Sequence, residues 1–162
     1  MIKVGIIGGA GYTAGELMRI LLNHPDTEIA FVQSSSNAGN LISDVHIDLL
    51  GETEIPFTSE LPFENVDVIF LCMGHGKSKQ FLENNSLPDS IKIIDLSHDF
   101  RLKQKGNDFI YGLPEINREE IKQAQKIANP GCFATGIQLA LLPLAANNLL
   151  NDEVHVQAIT CS

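Results

Sequence analysis

The sequence predicts an α/β domain built on a mostly parallel, doubly wound sheet. Three observations predict it. Short apolar runs recur along the chain, stretches of helical length separate most of them, and the first run leads directly into a glycine-rich turn. Strands that alternate with helices need crossover connections, which make neighbouring strands parallel and cover both faces of the sheet. A chain of 162 residues with 44% hydrophobic and 19% charged content fits one ordinary domain with a sizeable core.

Each element follows from a local pattern. Residues 2–7 (Ile-Lys-Val-Gly-Ile-Ile) read as a buried first strand. The same run resembles a short signal-peptide core, but it enters a glycine turn with no cleavage-like segment, so a cytoplasmic protein is expected. Residues 13–23 read as a helix and 28–33 as a second strand. Residues 67–72 and 91–96 are apolar runs of strand length, with a helix at 78–84 between them. Helices at 117–125 and 133–148 flank a short strand at 126–129. Residues 137–150 form the longest apolar stretch, but Pro143, Asn147 and Asn148 interrupt it below the roughly 18 residues that span a bilayer. No membrane partner is expected.

The tail changes rhythm. Residues 154–160 alternate like a half-exposed strand and the sequence then stops. A lone strand has two unpaired edges, so it reads as the first strand of a second, missing domain.

Charge and cysteines narrow the chemistry. A formal net charge of −9 argues against nucleic acid as a partner and requires that any anionic substrate be held by local donors. Cys72, Cys132 and Cys161 are odd in number and widely spaced, with no CxxC or Cys/His ligand pattern. Neither a disulfide framework nor a metal site is expected.

The first strand opens into Gly8-Gly9-Ala10-Gly11-Tyr12-Thr13-Ala14-Gly15. Gly8 suits a tight turn, and Gly11 suits close approach of a pyrophosphate at the positive end of the following helix. The spacing fits either Gly8-x-x-Gly11-x-x-Ala14 or Gly9-x-Gly11-x-x-Ala14. Glycines also make plain turns; the strand–turn–helix context favours a Rossmann-like dinucleotide site. The second strand ends in Gln33-Ser34-Ser35-Ser36-Asn37, without the acid that would hold a ribose 2′-hydroxyl. Hydroxyls of Ser34 and Ser36 can donate to a 2′-phosphate, which favours NADP; the alternative is an ordinary serine loop.

Asn129-Pro130-Gly131-Cys132 joins the short strand to the last helix. Pro130 and Gly131 imply a sharp turn that sets Cys132 in the first helical turn, where free N–H groups and the helix dipole favour thiolate. Those N–H groups could also hold an oxyanion. The alternative is a small buried hydrophobe, which is the expectation for Cys72 inside its strand.

Gly11-Tyr12-Thr13 with Glu16-Leu17, Asp95-Leu96-Ser97-His98-Asp99-Phe100-Arg101-Leu102, Tyr111-Gly112-Leu113-Pro114-Glu115 and Asn129-Pro130-Gly131-Cys132 follow one another in this order. Together they resemble the N-acetyl-gamma-glutamyl-phosphate reductases over essentially the whole chain. The resemblance implies residues 1–150 as an NADP-binding Rossmann domain and 151–162 as the start of a truncated catalytic and dimerisation domain. It implies NADPH-dependent reductive dephosphorylation of an acyl phosphate in arginine biosynthesis, through a thioester on Cys132. Gly8, Gly11, Tyr12 and Thr13 take the cofactor-loop role. Arg101 takes a substrate-phosphate role by analogy with the related aspartate-semialdehyde dehydrogenases; the alternative is an ion pair with Asp99 or another acid. Gly74-His75-Gly76 resembles a His-Gly pair near the cofactor, and His75 is not read as the base.

Three positions depart from the pattern: Ala14 for a glycine, His98 for a small residue and Phe133 for a tyrosine. The family is about twice this length, and its second domain supplies the catalytic histidine, much of the substrate pocket and the homo-oligomer contacts. The chain alone is therefore expected to turn over little. A reductase of aspartyl or carrier-linked aminoadipyl phosphate, and a non-catalytic NADP-binding module, are the competing readings.

Overall fold

A glycine inside the first strand shows how tightly the sheet is packed. The computed structural model describes residues 1–150 and 153–159. In strand β1 (Ile2–Ile7), a β-carbon on Gly5 would lie 2.5 Å from the ring of Phe31, its partner in register on β2 (Thr27–Gln33). Phe31 thus closes over the backbone of β1 because no side chain stands there.

The sheet has seven strands, adding β3 (Phe57–Thr58), β4 (Val68–Leu71), β5 (Lys92–Asp95), β6 (Ile110–Tyr111) and β7 (Lys126–Ala128). Their spatial order is β3-β2-β1-β4-β5-β7-β6, and every ladder is parallel. The chain first moves outward from β1 to β3, then returns across β1 to begin β4. Carboxyl ends of β1 and β4 therefore flank a topological switch point, the crevice where open α/β sheets place their ligands.

Alternation along β1 divides two apolar layers. Val4 and Ile6 pack with Met18 and Leu21 of α1 (Tyr12–Leu22), with Val32 and with Phe57. Ile7 faces the other way, among Phe31, Ile69, Leu71, Ile93 and Ala128. Each fully buried Ile, Leu or Phe contributes about 1.5–3 kcal/mol, so the two layers carry the fold.

Expected and observed elements agree closely through α3 (Lys77–Asn84) and β5. Three differences have local causes. Helix α4 (Pro114–Gln123) begins at Pro114, whose fixed φ suits a first helical position, ahead of the expected residue 117. A kink follows at Asn117, with φ −126° and ψ 26°, where the side-chain amide donates to Tyr111 O at 2.8 Å. The two-residue strands β3 and β6 and the single-turn helix α2 (Ile42–Val45) are too short to leave a periodic pattern. Finally, the strand expected at 154–160 is absent where residues are described: 153–159 join no ladder and are exposed, and Thr160 lies outside the described residues. Strands exist through their partners, and this segment meets none.

Helix α5 (Cys132–Ala146) continues through Pro143 and is capped at Asn147. It has no charged residue and no fully buried one; Phe133, Leu139 and Leu144 are each at least 40% exposed. No helix among the described residues is long and apolar enough to cross a membrane.

Candidate active site

Loops at the carboxyl ends of β1, β2, β4, β5 and β7 build the site. At the end of β1, Gly8 has φ +80°, the left-handed conformation that only glycine adopts without strain. A β-carbon on Gly9 would lie 2.1 Å from Val32, so that position is closed by packing. Gly11, the N-cap of α1, would meet nothing closer than 3.8 Å. Protein packing does not demand glycine there; the space above it is open.

Gln33 ties the turn to the end of β2. Its carbonyl accepts from Gly8 N at 3.1 Å and Gly9 N at 2.8 Å, and its side-chain oxygen accepts from Gly8 N at 3.3 Å. The N–H groups of Ala10, Tyr12 and Thr13 donate to no acceptor among the described residues. Three unpaired donors at and just before a helix start could hold a pyrophosphate. Past β2, Asn37 Nδ2 donates to Ser34 Oγ at 3.1 Å and to Ser36 Oγ at 3.0 Å. Ser34 is buried and Ser36 exposed, so of the two expected phosphate donors Ser36 is the accessible one. No acid lies in this cluster.

Between β4 and β5 the loops are clasped by Asp99. Helix α3 has no cap of its own: Gly76 stands at its N-cap with φ +80°. Asp99 supplies the cap from the loop after β5, accepting from Gly76 N at 2.7 Å and Lys79 N at 3.1 Å. Burial works to raise the Asp99 carboxyl, but the Gly76 and Lys79 amides, with His98 and Ser97, hold it below the usual carboxylate range. His75 and His98 stack beside it, centroids 4.2 Å apart and planes within 4°. His98 N donates to His75 Nδ1 at 3.2 Å, and His98 Nδ1 lies 3.0 Å from Asp99.

Arg101 does not form the ion pair with Asp99 considered from the sequence. Its Nε donates to Asn129 O at 2.8 Å and one Nη to Leu96 O at 2.9 Å, the carbonyls that follow β7 and β5. Among the described residues it pairs with no carboxylate. The other Nη lies close to Gly131, the residue that precedes Cys132.

Cys132 is exposed at the first position of α5. Among the described residues the N–H groups of Cys132, Phe133 and Ala134 meet no acceptor, whereas Thr135 N and Oγ1 both donate to Gly131 O, at 2.8 and 2.9 Å. Thiol, free donors and fixed cation thus share one helix start. Cys72 is the opposite case: burial, with a smaller contribution from Asp95, pushes its thiol up to about 12. Cys161 lies outside the described residues.

A cavity of about 570 Å³ opens beside Gly131, lined by Arg101, Lys103, Tyr111, Asn117, Ala134 and Gln138 among others. The sequence reading missed His46, which hydrogen-bonds the glycine turn, and the capping role of Asp99. A lone histidine in an irregular segment and an acid in a loop give no periodic signal.

The family described as the NAD-binding domain of semialdehyde dehydrogenase matches residues 3–124. An N-acetyl-gamma-glutamyl-phosphate reductase of Parabacteroides distasonis is 61% identical over 162 residues, 100% of this chain and 50% of its own. One from Christiangramia forsetii is 59% identical over 160 residues, covering 99% and 50%. The chain spans about half the length of the curated relatives it matches. Among solved structures, an aspartate semialdehyde dehydrogenase with NADP from Candida albicans superposes with a TM-score of 0.68 at 19% identity, over 93% of this chain and 48% of that one. An aspartate semialdehyde dehydrogenase II from Vibrio cholerae gives 0.69 at 19% identity, over 90% and 47%. At such identities the structural likeness is one of fold. By the match over residues 3–124, the chain belongs to the family of semialdehyde dehydrogenase NAD-binding domains.

Proposed function

We propose that this chain is the cofactor-binding and nucleophile-bearing half of an NADPH-dependent N-acetyl-gamma-glutamyl-phosphate reductase. The observation that carries the reading is the convergence of exposed Cys132, free N–H donors and the Arg101 guanidinium at the start of α5. Relatives named for that activity at about 60% identity support the substrate. The residues fit a nicotinamide dinucleotide: three free N–H groups at the glycine turn suit its pyrophosphate, and Ser36 without an acid suits a 2′-phosphate.

In this reading the Cys132 thiolate attacks the acyl carbon while the Phe133 and Ala134 amides hold the developing oxyanion. The carbon–oxygen bond to phosphate breaks, and phosphate leaves toward Arg101. A thioester remains on Sγ. NADPH, when bound, supplies the hydride that reduces it. Hydride addition leaves a hemithioacetal alkoxide that takes a proton from a base of the longer polypeptide and returns it on collapse. The carbon–sulfur bond breaks as the carbonyl reforms, and N-acetylglutamate semialdehyde leaves with the Cys132 thiolate regenerated. No histidine among the described residues bonds to Cys132; His75 and His98 engage each other and Asp99. The proton step is therefore assigned to the rest of the longer polypeptide, and this chain alone turns over little. That remainder, begun by residues 151–162, is also the proposed cover for the exposed apolar surface of α5 and the source of homo-oligomer contacts.

The test is Cys132→Ser in the full-length polypeptide. NADPH oxidation with N-acetyl-gamma-glutamyl phosphate should vanish while NADPH affinity stays within about twofold. Unchanged turnover overturns the nucleophile, and preference for aspartyl phosphate overturns the substrate.

A further inference from the structure

His46 lies behind the glycine turn, 8% exposed, between α1 and the ring of Phe57, whose centroid is 6.4 Å away. Its Nε2 bonds the carbonyl of Gly9 at 2.8 Å. A carbonyl only accepts, so Nε2 carries the proton. On the other side of the residue, Gly9 N donates to Gln33 O at 2.8 Å. Both backbone polar groups of Gly9 are thus fixed.

The next donor follows from peptide geometry. The Gly9–Ala10 peptide is trans, so the N–H of Ala10 points opposite to the Gly9 carbonyl. With that carbonyl drawn inward by His46, the Ala10 N–H is turned outward, where it meets no acceptor among the described residues and joins those of Tyr12 and Thr13. Without the imidazole, no other group among the described residues holds this peptide. Glycine on its amino side lets it rotate and present the carbonyl, which repels an anion.

A second observation points the same way. Gly15 lies within α1, where glycine is about 1 kcal/mol worse than alanine. A β-carbon there would come 2.6 Å from His46 Nδ1 and 2.9 Å from Cε1. The helix carries an unfavourable residue where the ring must fit.

We propose that His46 is a positioning residue for the dinucleotide: by anchoring the Gly9 carbonyl it aims the Ala10 N–H at the pyrophosphate. The inference rests on reading the glycine turn as the cofactor site. NADPH is titrated into the full chain by fluorescence for the wild type, His46→Leu, His46→Gln and Gly15→Ala. His46→Leu keeps bulk without a donor; His46→Gln restores an N–H near Nε2; Gly15→Ala displaces the ring without removing it. NADPH affinity should fall about tenfold or more in His46→Leu and Gly15→Ala and return to within about threefold in His46→Gln. In the wild type, the amide proton of Ala10 should move downfield in ¹H–¹⁵N spectra as NADPH binds, a readout that survives if a variant fails to fold. A wild type that binds no NADPH overturns the cofactor reading itself. Wild-type binding with an unmoved Ala10 amide, or with His46→Leu unimpaired, or with His46→Gln as weak as His46→Leu, overturns the role of His46 alone.

Discussion

A β-carbon on Gly131 would stand 2.8 Å from Arg101 Nη1 and 3.6 Å from Cζ. Gly131 itself has φ −72° and ψ 153°, a conformation open to any residue, so glycine is there to admit the guanidinium and not to make the turn. Gly131→Ala should push Arg101 off the Asn129 and Leu96 carbonyls. The full-length Gly131→Ala variant is expected to raise the KM for acyl phosphate about tenfold or more, with little change in NADPH affinity. Steady-state kinetics with a parallel NADPH titration check this. An unchanged KM would remove Arg101 from the phosphate site.

Asp99 clasps two loops by capping α3 from the loop that follows β5. Asp99→Ala should destabilise the chain by about 1–2 kcal/mol, read as a lower urea midpoint. The pH dependence has a definite sign. Because the folded carboxyl sits below its ordinary value of 3.8, its contribution is present above that value and lost as pH falls through the lower folded one. Wild-type and Asp99→Ala stabilities should therefore converge in acid, below about pH 4.

Cys72 gives the opposite window. Its thiol is raised from 9.0 to about 12, so the unfolded chain releases this proton first as pH rises. Stability is full below about pH 9 and declines toward pH 12, by at most about 4 kcal/mol. Cys72→Ala should flatten that alkaline limb in denaturant titrations. At neutral pH, peptide-resolved iodoacetamide labelling should modify exposed Cys132 well before Cys72.

An acid introduced at the end of β2 should redirect cofactor choice. Ser36→Asp places a carboxylate where a 2′-phosphate is proposed, and NADPH affinity should fall about tenfold relative to NADH. Paired titrations with the two dinucleotides measure it; an unchanged ratio would move the 2′-phosphate elsewhere.

The sheet was legible in the sequence because residues 2–7, 67–72 and 91–96 are short, mostly apolar runs separated by stretches of helical length. Gly8 and Cys132 were legible because turn and helix-start chemistry restrict residue type locally. What escaped depends on distant partners. The alternative expectation for Arg101 was an ion pair with Asp99 or another acid, yet the guanidinium bonds carbonyls that the β5–β7 pairing brings together. Gly131 has the residue type of a turn, but its backbone is extended and the guanidinium beside it is what excludes a side chain. The tail at 154–160 alternates like a strand, but alternation supplies no partner.

The most direct measurement of the central claim is to mix the full-length polypeptide with N-acetyl-gamma-glutamyl phosphate in the absence of NADPH and map any acyl adduct by mass spectrometry. The account predicts one phosphate released per chain and a hydroxylamine-labile N-acetylglutamyl thioester on Cys132, absent in Cys132→Ser. Reduction on adding NADPH with no adduct at Cys132 beforehand, or with the adduct on another residue, would contradict it.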